Sequence, residues 1–255
     1  MITQELSKYI PDTGIILILG HRGSGKSVLA YSILEYLHQK GRHKNLLVYN
    51  FPKPEILPDF IQPIYDINFP ENSAVIIDEA YIEFSARSAM SKKNKMVDML
   101  NGLARQKDLL IIYITQDSTR IDINIIRSAD VLMIKRLSKR QVEFERKEIR
   151  RWLLNIKSAL DDIDNYKNAV YIDCDTDKYQ CSKVITNCVT LPFFWSDKLS
   201  KSWKNIQIEH SNELFKHEDK NIDNKEIRKI YNFKNRKYLV LKNGQIREIP
   251  REKEI

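Results

Sequence analysis

Residues 20–27 read Gly-His-Arg-Gly-Ser-Gly-Lys-Ser, which is a complete G-x-x-x-x-G-K-S sequence. They follow an apolar run at residues 15–19 that is typical of a buried strand, and they precede apolar residues at helical spacing in residues 28–37. The alternative, an ordinary glycine-rich turn before a helix, is disfavoured because strand, loop, Lys-Ser pair and helix are all in register. The stretch therefore predicts a phosphate-binding loop, and the chain is expected to bind a nucleoside triphosphate.

The residues of this loop have different predicted roles toward ATP and magnesium. Gly23 and Gly25 allow backbone N–H groups to curl around the β-phosphate. Lys26 reaches the β- and γ-phosphate oxygens, and the Ser27 hydroxyl binds Mg²⁺. The predicted nucleotide-binding residues are Gly20, Gly23, Ser24, Gly25, Lys26 and Ser27.

A second motif lies further along the chain, where an apolar strand at residues 74–77 ends in Asp78-Glu79. A hydrophobic strand ending in Asp-Glu also occurs by chance, but after a phosphate loop it is typical of a Walker B motif. Asp78 would hold Mg²⁺ through its water shell, and Glu79 would polarise the water that attacks the γ-phosphate. Because a kinase must exclude water from its phosphate, the second acid favours hydrolysis, and the sequence predicts an ATPase.

Predicted strands and helices alternate up to about residue 166. Short continuous apolar runs predict five strands, which suits a parallel sheet covered on both faces. In chain order these strands are residues 15–19, 45–49, 74–77, 109–114 and 131–134. A long helix is predicted to open at Ser138 with the capping-box pattern Ser138-x-x-Gln141 and to continue through Ile163. The expected fold class is α/β, with a P-loop ATPase core over residues 1–166.

The character of the sequence changes after residue 166. Residues 169–174 and 184–191 are typical of strands, and Asn243-Gly244 between two further strand-like segments predicts a tight β-hairpin. In residues 220–255, Lys and Arg outnumber Asp and Glu by 11 to 5. We therefore expect a small C-terminal α+β appendage, residues 167–255, with β-hairpins and a basic tail. That tail either binds nucleic acid or is an ordinary solvated surface, and the sequence leaves both open.

The composition indicates where the protein is located and whether its cysteines bind metal or form disulfides. The 255-residue chain has no apolar run approaching the roughly 18 residues of a membrane span, and residues 1–11 lack the apolar core of a signal peptide. The expected location is the cytoplasm, which is the host cytoplasm for a virus-encoded protein. Cys174, Cys181 and Cys188 stand at seven-residue intervals without a C-x₂-C pair. Buried or free thiols are therefore expected, rather than a zinc site or a disulfide framework.

The fourth predicted strand ends in Thr115-Gln116, which places a polar amide beside the expected γ-phosphate. The phosphate loop, the Asp-Glu pair, an arginine about one helix later at Arg105 and this Thr-Gln ending together resemble the HerA/FtsK superfamily of ring ATPases. Residues 103–116 and 121–127 also look like the matching parts of zonula occludens toxin-like ATPases. The resemblance spans about residues 14–150, and this chain has Gln106 where those relatives often have histidine.

The resemblance implies an ASCE/RecA-like parallel sheet with the strand order 5-1-4-3-2. It also implies a homo-oligomeric ring, usually a hexamer, around double-stranded DNA. Arg105 matches the arginine finger that completes the active site of a neighbouring subunit, Arg127 is a second candidate, and Gln116 matches the catalytic polar residue beside the γ-phosphate. For either arginine the alternative is a surface salt bridge. The implied cofactors are ATP and Mg²⁺.

A basic segment closely follows the Asp-Glu pair. Residues 85–95 contain Arg87, Lys92, Lys93 and Lys95 and no acid. The three lysines fall in the first turns of a helix predicted from about Ser91 to Arg105. Cations at the start of a helix oppose its dipole, so local stability does not favour the lysines there. The segment is either a solvated loop or a DNA-binding element that projects into the channel of the ring and contacts phosphates.

Features that the sequence lacks narrow the function class. The short stretch before the first strand leaves no room for the N-terminal barrel of HerA proper, and the lack of a membrane span argues against filamentous-phage assembly proteins and full-length FtsK. The remaining expectation is an ATP-driven double-stranded DNA translocase for viral genome packaging or plasmid DNA mobilisation, with a capsid or portal protein as candidate partner. A replication-initiator or helicase-loader ATPase and a nucleotide-regulated binding switch are the alternatives.

Overall fold

An eight-stranded mixed sheet forms the centre of the computed structural model. Its strands are β1 Gly14–Leu19, β2 Asn45–Tyr49, β3 Gln62–Ile64, β4 Ser73–Asp78, β5 Leu110–Thr115, β6 Val131–Ile134, β7 Val170–Asp175 and β8 Gln180–Ile185. They lie in the order β3-β2-β4-β5-β1-β6-β7-β8. The structure describes residues 2–78, 102, 104, 106–116, 128–144, 147–175, 180–202, 227–233, 236–241 and 246–249.

Helices cover the sheet and link its strands. They are α1 Gln4–Ser7, α2 Lys26–Lys40, α3 Lys139–Glu143, α4 Lys147–Asp161 and α5 Asp197–Ser200. Short 3₁₀ helices span Pro54–Ile56 and Tyr166–Asn168. Among the described residues, none of these helices has the length and apolar character needed to cross a membrane.

The five strands predicted from the sequence are β1, β2, β4, β5 and β6, and their predicted order is confirmed. Counted as the first to the fifth predicted strand, they lie in the order 5-1-4-3-2, and every neighbouring pair among them is parallel. Strands buried on both faces read as unbroken apolar runs, which is why the sequence marks these five clearly. Every residue of β1 and β5 is buried.

Three further strands extend this sheet at its two edges. In the part of the chain that the structure describes, β3 pairs only with β2, and Pro63 within it is tolerated because an edge strand need not donate every N–H. At the other edge, β7 pairs antiparallel with β6 and β8 pairs antiparallel with β7. These two strands were expected in the appendage, yet they belong to the main sheet, so the sheet continues beyond residue 166. The division of the chain into two domains at that residue stays a prediction.

The last predicted strand of this region lies earlier than expected, at Gln180–Ile185 rather than at residues 184–191. Asn187 adopts a left-handed backbone conformation with φ of 50°, which interrupts an extended strand at that point. Among the described strands, β8 pairs only with β7, and its polar residues resemble a loop in the sequence.

Near the C-terminus a separate three-stranded antiparallel sheet has the order β11-β10-β9. Its strands are β9 Ile227–Phe233, β10 Arg236–Leu241 and β11 Ile246–Ile249. β10 and β11 flank Asn243-Gly244 and pair antiparallel, as the hairpin signal predicts, while the turn itself lies outside the described residues.

The predicted long helix is divided into α3 and α4. Its capping box is present, because the Ser138 hydroxyl accepts a hydrogen bond from the Gln141 N–H and the Gln141 side chain accepts one from the Ser138 N–H. α3 ends at Glu143, and the next residue, Phe144, has φ of −91° and ψ of 4°, outside the helical region. α4 then begins at Lys147. Most of the helix predicted up to Arg105 lies outside the described residues.

The two faces of the sheet carry separate hydrophobic layers. Successive residues of β1 point to opposite faces, so Ile16 and Ile18 join one layer while Ile15 and Leu17 join the other. α2 covers the first layer with fully buried Leu29, Ile33, Leu34 and Leu37. These layers hold the ends of β1, β5 and β4 in fixed relative positions, which is where the functional motifs lie.

Candidate nucleotide-binding site

The glycine-rich loop joins the end of β1 to the start of α2, as predicted. Gly23 has φ of 78° and Gly25 has φ of 90°, a left-handed conformation that other residues rarely adopt. At Gly20 the constraint is space, since a Cβ there would lie 2.7 Å from Ser24 Oγ and 2.8 Å from Lys135 Cβ. The loop therefore needs glycine for its backbone conformation and for its close packing.

One carbonyl group closes the loop from inside. The His21 carbonyl accepts hydrogen bonds from the Ser24 N–H at 3.2 Å and from Lys26 Nζ at 2.9 Å. Lys26 is only 6% exposed, so its ammonium group is held at the loop rather than in bulk solvent. The Ser24 hydroxyl is buried without a hydrogen-bond partner among the described residues. The loop thus offers a positioned cation and an unsatisfied hydroxyl.

The first turn of α2 faces this loop with its backbone donors. Gly25 is the N-cap, and no side chain of the described residues caps it. The first turn carries no acidic residue. N–H groups at a helix start together with the helix dipole favour an anion. Six predicted nucleotide-binding residues therefore form one cradle that fits phosphate groups: Gly20, Gly23, Ser24, Gly25, Lys26 and Ser27.

Asp78 lies at the same end of the sheet as this cradle, where the parallel strands β1, β5 and β4 have their C-terminal ends. It is the last residue of β4 and is aligned with Ile114 of β5, while Thr115 of β5 is aligned with Leu19 at the end of β1. One strand therefore separates Asp78 from the loop, a spacing of about 10 Å. A hydroxyl at Ser27 and a carboxylate at Asp78 are oxygen ligands of the kind that Mg²⁺ prefers, so these residues fit the implied metal.

Gln116 follows the strand between them. Gln116 is an exposed residue. Its backbone carbonyl accepts a hydrogen bond from the Gln141 side-chain amide. Gln141 is the capping-box residue of α3, so one side chain both caps the helix and holds the end of β5. The sequence predicts the capping box but not this link, which depends on the fold.

Two further groups beside the loop were not predicted. The Arg136 guanidinium lies 4.5 Å from the centre of the Tyr166 ring, and that ring lies 6.2 Å from the ring of His21 in the loop. Rings and guanidinium planes are surfaces on which a nucleobase can stack. The other is Lys135, a fully buried lysine directly after β6. The Lys135-Arg136 pair that ends an apolar strand was the available sequence signal.

Several predicted site residues lie outside the described part of the chain. They are Glu79, Arg105 and Arg127, together with the basic group Arg87, Lys92, Lys93 and Lys95. Their assigned roles stay predictions.

The strand order and the loop geometry are those of a P-loop NTPase. Among solved structures, the genome packaging NTPase B204 from Sulfolobus turreted icosahedral virus 2, in complex with ATP-gammaS, matches with a TM-score of 0.50 and 16% identity, covering 70% of this chain and 99% of that chain. This likeness confirms the predicted α/β fold of a P-loop NTPase.

Two other solved structures are similar with lower scores. The monomer form of the pCW3 conjugation coupling protein TcpA with ATPgS has a TM-score of 0.48 and 17% identity over 76% of this chain and 65% of that chain. The N-terminal domain of zonular occludens toxin from Neisseria meningitidis has a TM-score of 0.40 and 18% identity over 74% of this chain and 97% of that chain. Comparison with protein-family models and with curated protein sequences finds no match.

Proposed function

We propose that this protein hydrolyses ATP and uses the reaction to move double-stranded DNA, in viral genome packaging or plasmid DNA mobilisation. The observation that carries the proposal is the strand order β1-β5-β4. This order places the phosphate loop and Asp78 at the C-terminal end of the parallel strands, with Thr115-Gln116 at the end of β5 between them. The spacing of about 10 Å between β1 and β4 leaves room for a γ-phosphate, a magnesium ion and an attacking water.

Each residue then has a separate part in hydrolysis. Lys26 binds the β- and γ-phosphate oxygens. Ser27 would hold Mg²⁺ directly, and Asp78 would hold it through water. When bound there, Mg²⁺ would supply charge that neutralises the developing charge on the phosphate oxygens. Glu79, next to Asp78, orients and deprotonates the attacking water, and Gln116 donates its amide to the γ-phosphate. The hydrogen bond that the Gln141 side-chain amide donates to the Gln116 carbonyl fixes the backbone from which the Gln116 side chain extends.

The proposed partners are double-stranded DNA and further copies of this chain in a ring, taken as a hexamer, with a capsid or portal protein at the site of packaging. The genome packaging NTPase B204 has the same fold as this chain, which supports the packaging alternative. The excess positive charge of the chain, formally +8, favours a polyanionic partner.

Arg105 is proposed to act on the nucleotide of a neighbouring subunit. We expect Arg105→Ala subunits to bind ATP normally but to hydrolyse it poorly, because an arginine finger stabilises charge only in the transition state. Mixing them with Lys26→Ala subunits should restore part of the turnover, at interfaces that pair an intact arginine with an intact loop. Steady-state ATPase assays across mixing ratios test this, with Arg151→Ala, an exposed arginine of α4, as the matched control. No recovery at any ratio would place Arg105 in its own subunit's site or in a purely structural role.

The DNA-binding element is proposed to be Arg87, Lys92, Lys93 and Lys95. We expect duplex DNA to stimulate the wild-type ATPase and replacement of the three lysines by alanine to reduce the salt dependence of DNA affinity. Each lost phosphate contact removes about one released counterion from the salt slope. The measurement is duplex affinity against salt concentration together with the ATPase rate with and without DNA. A variant that replaces exposed Lys139, Lys147 and Lys198 makes the same change in net charge and is the control.

The outcomes separate the competing functions. If the triple variant keeps the wild-type slope and stimulation while deletion of residues 220–255 loses both, the basic tail is the DNA-binding element. A wild-type ATPase rate that is the same with and without DNA would favour the nucleotide-regulated switch. DNA stimulation without displacement of a protein roadblock would favour the initiator or helicase-loader function.

A further inference from the structure

Lys135 is a fully buried lysine whose ammonium group is bound to backbone carbonyls. Its Nζ donates to the Lys167 carbonyl at 2.7 Å and to the Ala169 carbonyl at 2.6 Å. A buried ammonium group loses its hydration, which costs several kcal/mol unless partners compensate. The two carbonyl groups supply part of that compensation, and no carboxylate is bonded to this Nζ among the described residues. Within the described part of the chain, therefore, no carboxylate bonded to the ammonium group neutralises its positive charge.

The side chain of Lys135 runs beneath the phosphate loop from one end to the other. Its backbone N–H donates to the Leu19 carbonyl at 2.7 Å, directly before the loop. Its Cβ is 2.8 Å from where a Cβ of Gly20 would stand, and its Nζ is 4.0 Å from where a Cβ of Gly25 would stand. Gly25 is the N-cap of α2, so the ammonium group lies behind the backbone donors of the cradle.

We infer that Lys135 is a positioning residue for the nucleotide, whose ammonium charge lies beneath the loop and strengthens its attraction for the polyphosphate. The inference rests on the proposed function to the extent that the loop must bind a nucleotide. A charge at this place is shielded from water and salt by the loop above it, so its attraction for a phosphate is screened less than that of a surface lysine. Lys135 touches no part of the nucleotide and acts through the loop.

The protonation of this group makes the inference testable by pH. Burial lowers the pKa of Lys135 from its ordinary 10.5 to about 8. Burial also raises the pKa of the Cys188 thiol to about 11, so the thiol that interacts with Lys135 is neutral below pH 10. The other titratable or charged side chains on the phosphate loop and on the 3₁₀ helix packed against it are those of His21, Arg22, Lys26, Tyr166 and Lys167. These side chains are present both in the wild type and in variants of Lys135, so comparing the two isolates the effect of Lys135.

The expected pH effects on affinity and stability have opposite signs. As pH rises through 8, the folded protein loses the Lys135 charge and nucleotide affinity falls. Between about pH 8 and 10.5 the unfolded chain binds more protons at Lys135 than the folded chain, so the free energy of unfolding rises with pH relative to a variant without the group. A residue that only packs the loop would change stability without this decline in affinity.

The experiment is calorimetric titration of the full-length protein with MgADP at pH 7.5 and 9.5. Compared with the wild type, Lys135→Met should bind about tenfold more weakly at pH 7.5, the order expected for loss of one poorly screened charge, and the two should converge at pH 9.5. Wild-type binding at pH 8.5 should take up protons, because the bound anion raises the pKa of Lys135. Lys139→Met, which removes an exposed lysine nearby in sequence, should match the wild type throughout.

A second variant distinguishes the effect of the Lys135 charge from the effect of its hydrogen bonds to the backbone carbonyls. Lys135→Gln keeps a hydrogen-bond donor without charge, and we expect it to bind MgADP as weakly as Lys135→Met. Wild-type affinity in Lys135→Gln, or an equal ratio of affinities at both pH values, would overturn the inference. If both variants fail to fold, the absence of proton uptake by the wild type overturns it instead, and its presence supports it. A folded wild type that binds no MgADP would refute nucleotide binding itself, a result distinct from binding that ignores Lys135.

Discussion

Replacement of Lys26 by alanine is expected to abolish measurable nucleotide binding, raising the Kd for MgATP by at least about 100-fold. The side chain is almost fully buried at the loop, and its Nζ already lies 2.9 Å from the His21 carbonyl. Phosphate oxygens are stronger acceptors for this ammonium group, and each charge-assisted hydrogen bond contributes about 1.5–3 kcal/mol. Titration calorimetry with a non-hydrolysed ATP analogue measures the loss.

Lys40→Ala is the matched control for this prediction. Lys40 is exposed at the last residue of the same helix, so the variant has the same change in charge and helix composition far from the loop. We expect its Kd to equal that of the wild type. A Lys26→Ala protein that binds MgATP as tightly as Lys40→Ala would show that the cradle does not hold the triphosphate.

Replacement of Glu79 by glutamine is expected to slow ATP hydrolysis by at least about 100-fold while leaving ATP binding unchanged. The loop residues and Asp78 stay intact in this variant, so phosphate and magnesium binding persist. Only the group that orients and deprotonates water is lost. Single-turnover hydrolysis and the Kd for ATP, measured together, distinguish a catalytic loss from a binding loss.

Glu71→Gln provides the control for this second variant. Glu71 is an exposed carboxylate before the other end of β4, so its loss changes charge near the same strand without touching the site. Trapping of assembled, ATP-bound particles is expected for Glu79→Gln alone. Unchanged turnover in Glu79→Gln would contradict the catalytic assignment and leave Asp78 as the acid whose role must be tested.

The centre of the fold could be predicted because its signals are local. Strands such as β1 and β5 are buried on both faces, so each reads as an unbroken apolar run in the sequence. The phosphate loop is equally local, since eight consecutive residues contain all its groups. The strand order came from the resemblance to ring ATPases rather than from periodicity, and the structure confirms it.

The features that were missed depend on contacts between distant residues. β3 contains a proline and β8 is polar, because each lies at an edge and neither needs a continuous apolar run. In the sequence Lys135 is recognisable only as a lysine directly after an apolar strand, and its burial results from the packing of residues 167–169 against its ammonium group. The catalytic acid and both arginines remain predictions, since they lie outside the described residues.

The position of Pro63 in β3 has a consequence for how copies of this chain can meet. The Ile64 carbonyl accepts a hydrogen bond from the Asn50 N–H at 2.8 Å, so Ile64 directs its polar backbone groups inward. Neighbouring residues of a strand alternate in this direction, which turns the backbone of Pro63 outward, where the ring nitrogen has no hydrogen to donate. An added strand would find its ladder broken there. This edge therefore resists open-ended β-sheet polymerisation at high protein concentration.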